Sequence, residues 1–381
     1  MGKIKKIEIS GSSEPVKQEI KKRRKKSSIE TQLEASMKSK RIIVQENKER
    51  KVDPNRLVPT GCTTYNLECS GRIEGAYSLG KIVNIIGDSH AGKTLFALTI
   101  FAECAILPRF DDFLFVYDDV EAANEFDIPY LFGKSVAERI GESVRSRTIE
   151  QFNDKLARLL EKGKPFIYVL DSFDALTSEA AMDKDEEDRK NREKGNEVKG
   201  SYGDGKPKKA SEMFTLRTQD LSDNNSLLIV ISQTRDNIGF GAQFTPKRRS
   251  GGKALKFYAA NETWLACEKR EKKGKRTMIT NVQAKVTKNK LTGRHGEAYF
   301  PILFDYGIDD ISACINFLMD EGDWTGTAKS IDSKGVFPTM SRSALVGHIE
   351  KNKLEQKLRE QCQVTYDKVI NALKPDRKRR Y

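Results

Sequence analysis

The chain has 381 residues, and 68 lysines and arginines against 55 aspartates and glutamates leave a formal charge of +13, so a polyanionic partner, nucleic acid first, is expected. Its six cysteines show no C-x-x-C spacing, which argues against a zinc site or a disulfide framework and for free thiols in a reducing compartment. No apolar run approaches the ~20 residues that span a bilayer, and Met1-Gly2-Lys3-Ile4-Lys5-Lys6 is charged with no apolar signal region behind it, so no membrane role and a cytoplasmic location are expected.

Residues 1–55 are polar and basic and read as an N-terminal arm, helix-competent over about 16–39, β-prone at Ile42-Ile43-Val44, and carrying the run Lys21-Lys22-Arg23-Arg24-Lys25-Lys26. From 56 to 322 apolar strands alternate with helical patterns. Strands are expected near 81–86, 113–118, 166–171, 226–232, 262–267, 279–288 and 297–304. Such alternation predicts an α/β core, a mainly parallel central sheet flanked by helices, with the closely spaced last strands added antiparallel.

Between the first strand and the apolar helical run at 95–102 lies Gly87-Asp88-Ser89-His90-Ala91-Gly92-Lys93-Thr94, a full G-x-x-x-x-G-K-T phosphate loop in its strand-to-helix setting. The glycines let backbone N–H groups turn toward phosphate oxygens, Lys93 reaches the β- and γ-phosphates, and the Thr94 hydroxyl is placed for Mg²⁺. These eight residues are therefore expected to hold a nucleoside triphosphate. The run Phe166-Ile167-Tyr168-Val169-Leu170-Asp171 ends in one carboxylate, and Asp171 beside the loop would hold Mg²⁺ through water, as in a Walker B element.

Residues 179–210 are charged and almost without apolar side chains, and are expected as a mobile excursion from the sheet. A second loop, 236–253, mixes Gly239, Gly241, Gly251 and Gly252 with Phe240, Phe244, Lys247, Arg248, Arg249 and Lys253. Glycine, aromatic and cation together suit a segment that orders on single-stranded nucleic acid by stacking and phosphate contact. Residues 323–381 read as a small helical C-terminal domain, with helices at 341–352 and 354–373 and a basic tail at Arg377-Lys378-Arg379-Arg380.

The order of these elements resembles the RecA family of homologous recombinases, bacterial and phage members, over most of 40–322. Pro59-Thr60-Gly61-Cys62-Thr63-Thr64-Tyr65-Asn66-Leu67 and Gly80-Lys81-Ile82-Val83 resemble the family's approach to the phosphate loop. Asp171-Ser172-Phe173-Asp174-Ala175-Leu176-Thr177 is similar to its Walker B strand and exit, and Ile229-Val230-Ile231-Ser232-Gln233-Thr234-Arg235 to the strand bearing its γ-phosphate-sensing glutamine. Gly251-Gly252-Lys253-Ala254-Leu255-Lys256-Phe257-Tyr258-Ala259 resembles the end of the second DNA loop. Lys285-Val286-Thr287-Lys288-Asn289-Lys290, followed by Glu297-Ala298-Tyr299-Phe300, resembles the segment that reaches a neighbouring subunit's ATP.

The resemblance implies a RecA-type phosphate-loop ATPase core, with a polymerisation segment in the N-terminal arm. The implied protein uses ATP and Mg²⁺, forms a homo-oligomeric helical filament on single-stranded DNA, and pairs that strand with homologous double-stranded DNA; a single-strand-binding protein and a loading mediator are expected partners. Glu121 is implied as the catalytic carboxylate, with Asp118 and Asp119 as local rivals, and Gln233 as the γ-phosphate sensor. Lys288 and Lys290, expected to alternate on one strand and share a face, are implied as cations given to the adjoining site. DNA contacts are implied for Arg235, Lys247, Arg248, Arg249, Gly251, Gly252 and Lys253. The segment 122–130 does not align cleanly, and Tyr130 is its candidate for stacking on adenine. The excursion 179–210 is longer and more charged than the family's first DNA loop, so no DNA contact is assigned there. The basic end departs from the acidic end of many bacterial members, and the divergence favours a phage origin, with location then in the host cytoplasm. Alternative functions are a hexameric DNA helicase of the same core fold and a low-turnover recombinase paralogue acting as an assembly factor.

Overall fold

The computed structural model describes residues 52–141, 143–195, 206–236, 247–249 and 252–377, with backbone alone for Asp236, Arg249, Gly252 and Lys253. The arm at 1–51 with its expected helix and basic run, the loop residues 237–246 with Phe240 and Phe244, Gly251, and the basic end from Lys378 lie outside the described residues. From Val52 onward the chain forms one compact unit.

A short antiparallel pair, β1 (Leu57–Val58) and β2 (Tyr77–Ser78), leads into the main sheet. That sheet comprises β3 (Lys81–Gly87), β4 (Leu114–Asp119), β5 (Phe166–Asp171), β6 (Leu227–Asp236), β7 (Lys247–Arg249), β8 (Asn261–Lys273), β9 (Arg276–Asn289), β10 (Glu297–Leu303) and β11 (Gly307–Ile308). Its order is β11-β10-β9-β8-β3-β6-β5-β4, with β7 attached to β6. Strands β8, β3, β6, β5 and β4 are parallel neighbours, whereas β9, β10 and β11 add antiparallel, as the strand spacing in the sequence predicted.

The central strands read as unbroken apolar runs because both of their faces are covered. Val83, Ile85, Ile167, Val169, Ile229 and Ile231 point to the cluster that includes Phe96 and Ile100 of the helix Lys93–Ala105. Their neighbours Ile82, Tyr168, Leu170, Leu228 and Val230 point the other way, to Phe152 and Leu156 of the helix Ile149–Glu161 and to Phe214 of the helix Lys206–Asp223. Full burial of one such side chain contributes about 1.5–3 kcal/mol, so the middle of the sheet is the stiff part of the molecule. The ends of β3, β4, β5 and β6, where the loops leave it, are thereby held in fixed relation.

The charged stretch expected as a mobile excursion is helical over Glu179–Glu193 and again from Lys206. The first of these helices buries none of its residues; it is started by Ser178, whose hydroxyl accepts the N–H of Ala181, and Glu186 and Lys190 pair at 2.9 Å one turn apart. Capping and charge pairing at helical spacing supply local order without an apolar face. Residues 196–205 lie outside the described residues.

Beyond Gly322 a hairpin, β12 (Thr325–Thr327) and β13 (Ser330–Asp332), precedes helices Arg342–Lys351 and Glu355–Ala372. Trp324, Phe337, Leu345, Leu358 and Tyr366 share a core with Leu67 of the helix Thr63–Ser70 and Ile315 of the helix Asp310–Asp320. Five cysteines, Cys62, Cys69, Cys104, Cys314 and Cys362, are buried free thiols. No helix among the described residues is long and apolar enough to cross a membrane.

Candidate active site

The phosphate loop joins β3 to the helix Lys93–Ala105 in a conformation that its glycines require. A Cβ at Gly87 would lie 2.5 Å from the carbonyl oxygen of Leu265, and Gly92 sits at φ 84°, where a Cβ would also meet the Ile302 side chain at 2.6 Å. His90 adopts φ 64° in the same turn. The resulting concavity places the start of an apolar helix at its floor, a setting suited to an anion. Lys93 donates to the carbonyl of Asp88 at 2.7 Å, so its ammonium lies over the loop. Burial lowers the Lys93 pKa, and the carboxylates of Asp171 and Glu121 oppose that shift.

Thr94 Oγ1 donates to Asp171 Oδ2 at 2.6 Å, and the Tyr117 hydroxyl donates to the same oxygen at 3.1 Å. The loop threonine and the carboxylate at the end of β5 thus meet, as their motifs predicted. Burial pushes the Asp171 carboxyl above its ordinary range, with the two hydroxyl donors pulling the other way. A buried carboxylate of this kind fits a divalent cation, which would restore the ionised form.

Glu121 stands just past β4, and two donors converge on its Oε1: Ser172 Oγ at 2.5 Å and Gln233 Nε2 at 2.7 Å. The rival Asp118 is committed elsewhere. It is fully buried, accepting from Ser146 N at 2.7 Å, Ser146 Oγ at 2.5 Å and the Tyr168 hydroxyl at 2.5 Å. Asp119 accepts from the backbone of Ala123 and Asn124, both at 3.3 Å, and shapes the loop that carries Glu121. Thr94, Tyr117, Asp119, Glu121, Phe126 and Asp171 line a cavity of about 340 Å³. A wider cavity of about 620 Å³ adjoins the loop at His90 and Gly92, and Tyr130 lines it together with Asp127.

The strand β6 continues past the sheet to Asp236 and pairs there with β7, setting Thr234 opposite Arg249, Arg235 opposite Arg248 and Asp236 opposite Lys247. Four of the residues implied in DNA binding are therefore gathered on one two-stranded extension directly after Gln233. Lys247 also forms an ion pair with Asp88 of the phosphate loop, and Thr234 donates to the other oxygen of that carboxylate. Neither contact was legible in sequence, nor were Ser172 and Tyr117 as partners of Glu121 and Asp171. The one available signal was adjacency, since Ser172 follows Asp171 directly.

Lys288 and Lys290 do not alternate along one strand as expected. A register shift between Glu262 and Thr263 sets Val286 and Lys288 opposite adjacent residues, and β9 ends at Asn289, leaving Lys290 in the following turn with its N–H bonded to Ala260 O at 2.8 Å. The two-residue period on which the shared face depended thus stops one residue short of Lys290. Lys288 Nζ donates to the carbonyls of Lys256 at 2.5 Å and Phe257 at 3.0 Å, at the end of the helix Gly252–Tyr258.

A model of the RecA N-terminal domain matches residues 26–309. The chain belongs to the RecA family. Among its relatives are Protein RecA of Wolinella succinogenes, 28% identical over 253 residues that cover 64% of each chain, and Protein RecA of Porphyromonas gingivalis, 27% identical over 291 residues, 72% of this chain and 76% of the other. Protein RecA of Nautilia profundicola is 25% identical over 345 residues, 86% of this chain and 89% of that one. This RecA-family chain therefore spans less than two thirds of the Wolinella protein's length and most of the Nautilia protein's.

Proposed function

We propose that this chain is an ATP-dependent DNA recombinase that assembles as a helical filament on single-stranded DNA and catalyses homologous pairing and strand exchange, with ATP hydrolysis stimulated by DNA. The observation that carries the reading is the hydrogen bond from Gln233 to Glu121, because it joins a candidate general base to the root of the basic β6–β7 extension. A ligand that draws the Gln233 carboxamide toward itself must release Glu121, and a shift at Gln233 is transmitted at once to Arg235 and its partner Arg248.

In this reading residues 87–94 cradle the phosphates, Lys93 pairs with their charge, and Tyr130 stacks on the adenine. Thr94 and Asp171 would hold Mg²⁺, which would supply positive charge against the phosphates. Glu121 accepts a proton from the attacking water, with Ser172 fixing the carboxylate's orientation. Gln233, being neutral, donates to the γ-phosphate without repelling it. Arg235, Lys247, Arg248, Arg249, Gly251, Gly252 and Lys253 form the DNA surface, and Lys288 and Lys290 reach a neighbouring subunit's site in the filament, where cations given in trans are worth roughly 10³–10⁵ in rate in related hydrolases.

A hydrolysis assay with and without single-stranded DNA, paired with electron microscopy, tests the proposal. Stimulated turnover and open filaments are expected, whereas closed rings would assign the chain to the helicase class, since a head-to-tail interface either closes or propagates. Filaments with negligible turnover would assign it to the assembly factors.

A further inference from the structure

Asp174 has no place in the nucleotide site described above, yet it is bonded to the centre of it. Strand β5 pairs with β6 only as far as Leu170 opposite Val230, so β6 loses that neighbour before it reaches Gln233. Asp174 accepts the backbone N–H of Gln233 with Oδ2 at 2.6 Å. A side-chain carboxylate thus takes over a donor that would otherwise leave the sheet unpaired. Its other oxygen, Oδ1, is buried without a hydrogen-bond partner. A buried acceptor left empty is costly, and such exceptions in native structures concentrate where position matters more than stability.

The turn that carries Asp174, Phe173–Ala175, is itself clamped. Lys206 donates to the carbonyl of Asp174 at 3.0 Å and to that of Leu176 at 2.6 Å, and its ammonium lies 5.2 Å from the centre of the Phe173 ring. Lys206 begins the helix that returns from the charged excursion. We propose that Asp174 is a positioning residue: it fixes the main chain of Gln233 beyond the end of the β5–β6 ladder, so that the carboxamide reaches Glu121, and it ties that point to the helix leaving the excursion. A charge-assisted bond to a backbone N–H is stronger than one to a neutral acceptor, which suits a residue that must hold against a loop pulling on β6. The inference rests on the reading of Gln233 as the link between nucleotide and DNA.

The test is a double-mutant cycle in the full chain on DNA-stimulated hydrolysis, with Asp174→Ala, Gln233→Ala and the double variant, and with affinity for a fluorescent ATP analogue measured in each. Asp174→Ala should lose about tenfold in stimulated turnover while its affinity for the analogue stays within about twofold, the scale of one buried hydrogen bond directed at one residue. Asp174→Asn, which keeps an oxygen in place, should recover most of the loss, and the double variant should be no slower than Gln233→Ala. Should Asp174→Ala not fold, Asp174→Ser, whose shorter side chain fails to reach Gln233, gives the same comparison. Multiplying losses in the double variant, or an Asn variant as slow as Ala, would overturn the inference, as would stimulated turnover unchanged in Asp174→Ala. Wild-type hydrolysis that DNA leaves unstimulated would instead overturn the functional reading and this inference with it.

Discussion

Lys247 of β7 and Asp88 of the phosphate loop form an ion pair, and Thr234 of β6 donates to the second oxygen of the same carboxylate. The strand proposed to hold DNA is therefore fastened to the loop proposed to hold nucleotide. Hydrogen bonds from Lys247 and Thr234 keep the Asp88 carboxyl below its ordinary range, so the pair stays charged through neutral pH. Both side chains remain about half exposed, and a pair of that kind is worth little on its own. Lys247 can exchange this carboxylate for a phosphate.

Replacing Asp88 with Asn should free Lys247 and raise affinity for single-stranded DNA in the absence of nucleotide by a few fold. Fluorescence anisotropy across a salt series checks this, because one added phosphate contact steepens the slope of log K against log salt by about 0.7 for single strands. An unchanged slope would mean that Lys247 does not meet DNA. Neutralising Lys247, Arg248 and Arg249 together should flatten the slope in the opposite sense.

Glu121 and Asp118 should respond to substitution in different ways. Glu121→Gln keeps the acceptor for Ser172 and removes the base, so turnover should fall about 10²–10⁴-fold with ATP still bound and DNA complexes long-lived. Asp118→Asn disturbs a carboxylate that three donors share in the core, and should lower stability by about 1–3 kcal/mol. Single-turnover hydrolysis and denaturant unfolding separate the two; rapid turnover by Glu121→Gln would move the base to Asp119.

Glu68, on the helix Thr63–Ser70, has its pKa pushed up to about 7 by burial first and by Glu321 second, with Arg294 opposing. Its folded value is above the unfolded one, so the native state holds the proton more tightly; the stability this brings is complete below the unfolded pKa and is lost as pH rises from about 4 through about 7. The slope reaches at most about 1.4 kcal/mol per pH unit. Glu68→Gln should remove it and be the more stable protein at pH 8, which thermal unfolding from pH 5 to 8 measures.

The proposed sharing of sites between subunits predicts complementation. Lys288→Ala with Lys290→Ala should bind ATP normally and fail to hydrolyse it, whereas Lys93→Ala should fail to bind it. Mixed on DNA, an intact phosphate loop from the first can meet intact lysines from the second, and activity should reappear. Co-assembly without any recovered hydrolysis would remove the two lysines from the mechanism.

What the sequence determined by itself was local in chain order. The apolar runs of β3, β5 and β6 announced a doubly covered sheet because strands buried on both faces carry no polar alternation. The phosphate loop was legible because its chemistry needs glycines, a lysine and a hydroxyl at fixed offsets within eight residues. Asp171 was legible only beside that loop, since a carboxylate ending a buried strand can be an ordinary strand end and points to a metal once a phosphate loop stands in the same sequence.

Only the tertiary structure decided which side chains from separate strands meet. Glu121 and Gln233 are 112 residues apart and touch because β4, β5 and β6 are parallel and run toward the same edge of the sheet. Asp118, one strand position from Asp119, was indistinguishable in sequence, yet strand alternation turned it to the opposite face, into the bonds with Ser146 and Tyr168. Lys288 and Lys290 do not share a face because β9 ends at Asn289 and the N–H of Lys290 turns to Ala260, and the two-residue period holds only within a strand. Contacts such as Asp174 with Gln233 belong to the same class: each partner alone is an ordinary polar residue, and only the sheet's register makes them a pair.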